Sequence, residues 1–166
     1  WVGVRELALA DVRGMRLAIA SSLPTGAGLS SSAALECATA VAIESLSDLS
    51  LSPTERALLC QKAEHDYAGV PCGIMDQLTV SEGTAGAALM IDCLSHQAKA
   101  VTLPGEAEIL VVNSGVKHEL GLSEYPKRRA ECQAAAEALQ VPLLRHASPE
   151  QLDNATHLGE TPRTRA

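Results

Sequence analysis

Met15, Leu17 and Ile19 alternate with Arg16, Ala18 and Ala20, the period-two pattern of a half-buried strand. Residues 1–22 read as mostly extended, and Pro24 and Gly26 end the run. From Ser30 to about Leu46 the chain turns to Ala, Leu and Glu, apolar on nearly every side, which predicts a buried helix. Ser52-Pro53-Thr54-Glu55 reads as the start of another: Ser52 caps, Pro53 suits the first turn, and Glu55 completes a capping box. That helix is expected to reach about Ala68, where Gly69, Val70 and Pro71 break it. Gly73-Ile74-Met75-Asp76-Gln77-Leu78 opens a third helical piece, ending near Gly83. Strand-like runs follow at 87–92, 100–103 and 108–113, the last with the look of an internal strand. Residues 122–139 predict a helix with charged and alanine faces. Ser148-Pro149-Glu150-Gln151 is a second capping-box signature. Without repeats or low-complexity segments, this mixture predicts an α/β or α+β arrangement.

Composition changes the picture in three ways. The 166 residues are 46% hydrophobic, but the aromatics are only Trp1, Tyr67 and Tyr125, so the core must be aliphatic. A net charge of −7 argues against a nucleic-acid or anionic-membrane surface, and no membrane span is visible. The cysteines, Cys37, Cys60, Cys72, Cys93 and Cys132, are odd in number and form no Cys-x-x-Cys pair. They fit reduced cytoplasmic thiols better than disulfides or a zinc site. The histidines show no metal-ligand spacing on a common helix face.

The candidate chemistry centres on Leu23-Pro24-Thr25-Gly26-Ala27-Gly28-Leu29-Ser30-Ser31-Ser32-Ala33-Ala34. Glycines let a backbone approach a bulky ligand, serines supply hydroxyls, and a helix start offers free amides and a positive dipole end. Together they suit a phosphate. The run is neither a Walker A loop nor Gly-x-Gly-x-x-Gly, and an ordinary loop before a helix remains the alternative. Glu64 reads either as part of a solvated helix face or as a magnesium ligand, with a cradle serine as its partner. Asp76 is either a first-turn aspartate favoured by the helix dipole or a general base aimed at a substrate hydroxyl. Gly73 would let a small substrate approach the backbone. Tyr125 is a packing residue or a pocket wall, while Lys127, Arg128 and Arg129 read as a solvated face.

These motifs fall together as a resemblance. The run from Pro24 to Ala34 resembles the second signature of the GHMP sugar and metabolite kinases. Ala63-Glu64-His65 followed by Gly69-Val70-Pro71-Cys72-Gly73-Ile74-Met75-Asp76-Gln77 narrows it to the galactokinase family. Asn113-Ser114-Gly115-Val116-Lys117-His118 and Ser123-Glu124-Tyr125-Pro126-Lys127-Arg128-Arg129 look like the same family. The resemblance implies an α+β, two-lobed GHMP kinase fold. Its first lobe is like ribosomal protein S5 domain 2, and residues 1–95 would form part of it. Residues 96–166 would begin a ferredoxin-like second lobe.

The implied activity is ATP-dependent phosphorylation of the anomeric hydroxyl of galactose to galactose 1-phosphate. Carried over by position, Pro24, Gly26, Ala27, Gly28, Leu29, Ser30, Ser31, Ser32 and Ala33 would bind ATP. Ser32 and Glu64 would hold Mg²⁺, Asp76 would be the catalytic base, and Gly73, Asp76 and Tyr125 would contact the sugar. The family's N-terminal signature is expected ahead of residue 1 and its Gly-rich third signature beyond residue 166. The resemblance thus implies a central fragment, at best weakly active alone, of a protein that is a cytoplasmic monomer when complete. The other readings are a non-catalytic sugar and ATP sensor, or an inactive truncated product.

Overall fold

The computed structural model describes residues 15–47, 49–113 and 125–155, together with 159 and 164. The chain divides into two compact units, Trp1–Gly121 and Leu122–Ala166. The first is built on three helices, α1 (Ser31–Leu46), α2 (Pro53–Ala63) and α3 (Met75–Glu82). A single π-helical turn, Glu64–Ala68, extends α2. A hairpin of β1 (Ala87–Asp92) and β2 (Gln97–Thr102) follows.

Local chemistry explains where the helices start and stop. Glu55 N–H donates to Ser52 Oγ at 3.2 Å and Ser52 N–H donates to Glu55 Oε2 at 2.8 Å, the reciprocal capping box read from the sequence. The π turn closes when Gly69 takes φ +68, and Val70 N–H donates back to the Glu64 carbonyl at 3.2 Å. An ion pair ties the end of α1 to the start of α2. Arg56 Nε donates to Glu44 Oε1 at 2.7 Å and Arg56 Nη2 to Glu44 Oε2 at 3.0 Å, with Leu51 N–H on the same carboxylate at 3.1 Å.

The three helices pack on one another through small side chains. Cys37 and Ala40 of α1 meet Cys60 of α2. Ala57 of α2 meets Leu78 of α3 and Ile74 just ahead of it, with Ile91 of β1 against this cluster. The buried positions of α1 are Ala33, Cys37, Ala40 and Glu44, a single stripe at helical spacing. Leu35, Val41 and Leu46 are exposed, so α1 is not buried on nearly every side as its composition suggested.

The strand expectations divide. The hairpin pairs antiparallel from Ala87↔Thr102 to Asp92↔Gln97. Its second strand starts earlier than the apolar run at 100–103, because ladder pairing rather than hydrophobicity sets its length. Asp92 steadies the turn at residues 93–96: Leu94 N–H donates to Oδ1 at 3.2 Å and Ser95 Oγ to Oδ2 at 2.8 Å. The other two predicted strands are not formed among the described residues. Leu17 and Ile19 are exposed, and so are Ile109 to Val112. Their apolar patterns are real, but a strand also needs a neighbour to take its amides and carbonyls, and β1–β2 is the one ladder described. The extended stretch over residues 1–14 lies outside the described residues.

In the second unit α4 spans Tyr125–Ala138, a 3₁₀ turn Leu144–His146, and α5 Pro149–Asn154. Residues 122–124 of the expected helix lie outside the described residues. Gln140, at φ +55, follows the end of α4. The second capping box is formed: Gln151 N–H donates to Ser148 Oγ at 3.2 Å and Ser148 N–H to Gln151 Oε1 at 2.9 Å. Ala135, Ala136, Leu139 and Ala155 are buried. Among the described residues, no helix is long and apolar enough to cross a membrane.

Candidate active site

The Gly-Ser stretch forms an irregular loop that runs straight into α1. Gly26 and Gly28 have φ +71 and +72, and Ser30 follows at φ +51. Positive φ at every second residue curls the backbone through left-handed positions that glycine adopts without strain. No atom lies within 4 Å of where a Cβ would stand on Gly26 or Gly28, so conformation and not space is what asks for glycine. Ser30 occupies the N-cap position, yet its hydroxyl makes no capping bond, and no acidic residue sits in the first turn. The left-handed backbone of Ser30 is not the extended one a capping side chain needs. The first-turn amides of Ser31, Ser32 and Ala33 thus have no side-chain acceptor at the cap, and the positive end of a 16-residue helix dipole lies behind them. Ser31 and Ser32 are half-buried, Ala33 is fully buried, and Pro24 lies exposed at the rim. Ala27, between the two glycines, and Leu29, just after them, are half-buried.

Glu64, at the junction of α2 and the π turn, is 5% exposed, which removes it from the solvated face its neighbours suggested. Its Oε2 is buried with no hydrogen-bond partner, an expensive state for a carboxylate oxygen. Glu64 meets Glu36 of α1 carboxyl to carboxyl. Burial first, and then the Glu64 carboxylate, push Glu36 up to about 8, while a bond from Gln77 opposes this. Gln77 Nε2 donates to Glu36 Oε2 at 3.4 Å, and its own Oε1 is buried without a partner. Two acid side chains and two unpaired oxygens thus meet where α1, α2 and α3 converge.

Asp76 is the residue before Gln77, half-buried in the first turn of α3. The link between Glu64 and Asp76 is held by side chains of α2 and the π turn. Gln61 Nε2 donates to the Cys72 carbonyl at 3.2 Å and His65 Nε2–H to the same oxygen at 2.9 Å. Gly73 follows, exposed, ahead of α3. The loop, Glu64, Gly73 and Asp76 therefore belong to one packed unit. Tyr125 opens α4 in the second unit.

Glu36 is the residue that the sequence reading missed. A signal was available: Ser32 and Glu36 are one helical turn apart, on the same face of α1. Among the described residues no group of three or more His, Cys, Asp or Glu could hold a metal ion. Any cation here would be bound in the manner of Mg²⁺, by one or two protein oxygens with phosphate and water. The unpaired Glu64 Oε2 fits such a hard cation.

Residues 3–84 match the GHMP kinases N terminal domain. The chain carries a GHMP kinase N-terminal domain, and its mixture of helices and a small antiparallel sheet is an incomplete form of the α+β GHMP kinase fold. The chain is similar to galactokinases. It is 44% identical over 156 residues to the galactokinase of Canis lupus familiaris, covering 93% of this chain and 40% of that protein. It is 48% identical over 132 residues to the galactokinase of Chloroflexus aurantiacus, covering 80% of this chain and 34% of that one. The crystal structure of Lactococcus lactis galactokinase complexed with galactose superposes with a TM-score of 0.70 at 30% identity, over 86% of this chain and 39% of that chain. The chain thus spans about two fifths of the length of the relatives it matches.

Proposed function

We propose that these residues carry the nucleotide- and cation-binding helices of a kinase that transfers the γ-phosphoryl group of ATP to the anomeric hydroxyl of galactose. The observation that carries this reading is the buried, unpaired oxygen of Glu64, on the helix packed against the one that the Gly-Ser loop opens. Phosphoryl transfer asks a protein mainly for positioning and charge stabilisation. The loop amides and the first turn of α1 supply donors for phosphate oxygens, with Gly26 and Gly28 letting the backbone approach. The Ser32 hydroxyl and Glu64 would hold Mg²⁺, which neutralises phosphate charge when bound. Asp76 accepts the hydroxyl proton or orients the hydroxyl, and Gly73 and Tyr125 contact the sugar. In this reading the protein is a cytoplasmic monomer, and the second of its two lobes begins near residue 96.

The test uses a full-length protein containing these residues and follows galactose-dependent ADP formation. Asp76→Asn should abolish turnover while leaving ATP affinity within about threefold, and Glu64→Gln should shift the magnesium titration to higher concentration. Near-normal turnover in Asp76→Asn, or an unchanged magnesium dependence in Glu64→Gln, would remove that residue from its role. Tight binding of galactose and ATP without any ADP formation by the unaltered protein would instead favour a sensor.

A further inference from the structure

α1 and α2 meet at a patch of very small side chains. Cys37 and Ala40 on α1 and Ala57 and Cys60 on α2 are all buried. Side chains this short allow two helices to approach at the low end of the usual interaxial range. Cys37 and Cys60 share one contact cluster across this seam. Cys37 Sγ also lies 3.5 Å from Ser81 Oγ and 4.0 Å from the Gln77 carbonyl.

The pair is asymmetric. A cavity of about 450 Å³ is lined by Cys37 together with Val41, Arg56, Val80 and Ser81, and Cys60 is not part of its wall. Cys37 therefore borders this space, and Cys60 does not. Neither has a part in the phosphate, cation or sugar chemistry set out above.

We infer that Cys37 and Cys60 form an oxidisable dithiol, which hydrogen peroxide entering this cavity converts to a disulfide bonding α1 to α2. In the first step the Cys37 sulfur attacks one peroxide oxygen. An S–O bond forms, the O–O bond breaks, and the departing hydroxide leaves as water with the Cys37 proton. In the second step the Cys60 sulfur attacks Cys37 Sγ of the sulfenic acid. The S–S bond forms, the S–O bond breaks, and a second water leaves with the Cys60 proton. Two thiols are oxidised by two electrons and one peroxide is reduced to two waters. The surroundings favour this order of attack: hydrogen bonds from Cys60 and then Ser81, with the Arg56 charge beyond, lower Cys37 to about 6. Cys37 and Cys60 pack in one cluster across the α1–α2 seam, the proximity from which a disulfide can form.

The consequence for the site rests on the kinase reading, while the bond itself does not. Cys60 is one helical turn ahead of Glu64, and Cys37 follows Glu36 directly. The disulfide would hold the helix opened by the Gly-Ser loop at a fixed distance from the helix that ends at Glu64.

The test is bond mapping, which needs no nucleotide or sugar. The reduced chain is treated with one equivalent of hydrogen peroxide, alkylated in denaturant with iodoacetamide, and digested with trypsin without reductant. Cleavage after Arg56 and Lys62 frees a short peptide, residues 57–62, carrying Cys60, while Cys37 lies upstream of Arg56. The expected product joins these two peptides, two hydrogens lighter than their sum and separated by dithiothreitol. Cys72, Cys93 and Cys132 are expected to be alkylated. In Cys60→Ser, the Cys37 sulfenic acid should persist and be captured by dimedone. Recovery of both Cys37 and Cys60 as alkylated thiols, or a bond to any other cysteine, would overturn the inference. A Cys60→Ser protein with no dimedone adduct on Cys37 would overturn the order of attack.

Discussion

Replacing Glu36 with Gln probes the carboxyl pair at the centre of the first unit. The amide keeps the shape of the side chain. Its oxygen can still accept from Gln77, as Glu36 Oε2 does at 3.4 Å, and its NH₂ group can donate to Glu64 at any pH. In the unaltered protein, burial and the neighbouring Glu64 raise Glu36 from 4.5 to about 8. The folded state therefore holds this proton more tightly than the unfolded chain does. The stability that Glu36 contributes is fully present below about pH 4.5 and is lost as the pH rises toward 8. Taken in full, at about 1.4 kcal/mol per pH unit, the loss would be about 5 kcal/mol. Glu36 is only half-buried, and solvent screening reduces the figure to about 1–2 kcal/mol. Glu36→Gln removes this loss. In urea unfolding with a metal chelator present, the variant should match the unaltered protein near pH 4.5 and exceed it by about 1–2 kcal/mol at pH 8. A variant less stable than its parent at pH 8, or one with the same difference at both pH values, refutes the reasoning.

Two other substitutions test the frame around that pair. Arg56→Met leaves Glu44 buried without its partner and should cost about 3 kcal/mol at pH 7 in the same urea experiment; an unchanged midpoint would show that the pair contributes nothing. The Arg56 hydrogen bonds hold Glu44 below its ordinary 4.5, so the pair's stabilisation is present above that pH, and the gap between variant and parent should narrow as the pH falls below it. Ser52→Ala removes the acceptor for Glu55 N–H and should cost about 1 kcal/mol, read as a lower thermal midpoint; a loss below about 0.3 kcal/mol would mean that water replaces the cap fully.

What could be read from the sequence was what depends on neighbours along the chain. Both capping boxes formed as expected, because Ser52 with Glu55 and Ser148 with Gln151 need only three residues of spacing. The break after Ala68 formed for a similar reason, since Gly69 readily takes the left-handed backbone that ends a helix. The runs 15–20 and 108–113 carry β-like patterns of equal quality to β1, yet only β1 has a described partner. Pairing is non-local, and period-two apolarity reports a side-chain preference without reporting whether a second strand is there. The same limit hid the true environment of α1. Its composition does not say which of its faces a neighbour covers.

The site divides along the same line, and the division bears on its chemistry. The Gly-Ser loop stood out by residue type alone, while the left-handed backbone of Gly26 and Gly28 came only with the structure. The burial of Glu64 was not legible, because a glutamate between Lys62, His65 and Asp66 reads as surface until a second helix closes over it. What closes over it is Glu36, and that contact couples two features that seemed separate. Ser32 and Glu36 stand one turn apart on α1, so the amide-rich end of the helix and the carboxyl pair are about 6 Å apart along its axis. A phosphate at the first turn would gain from the helix dipole and lose to the Glu64 carboxylate. Each half of the site thus opposes the other for a bare anion. On the kinase reading, a divalent cation carried with the phosphate would reverse the second term, since it would give Glu64 Oε2 the partner it lacks. On that reading, selectivity for the metal-bound nucleotide over the free one then follows from the spacing of Ser32 and Glu36 on a single helix, together with one buried oxygen.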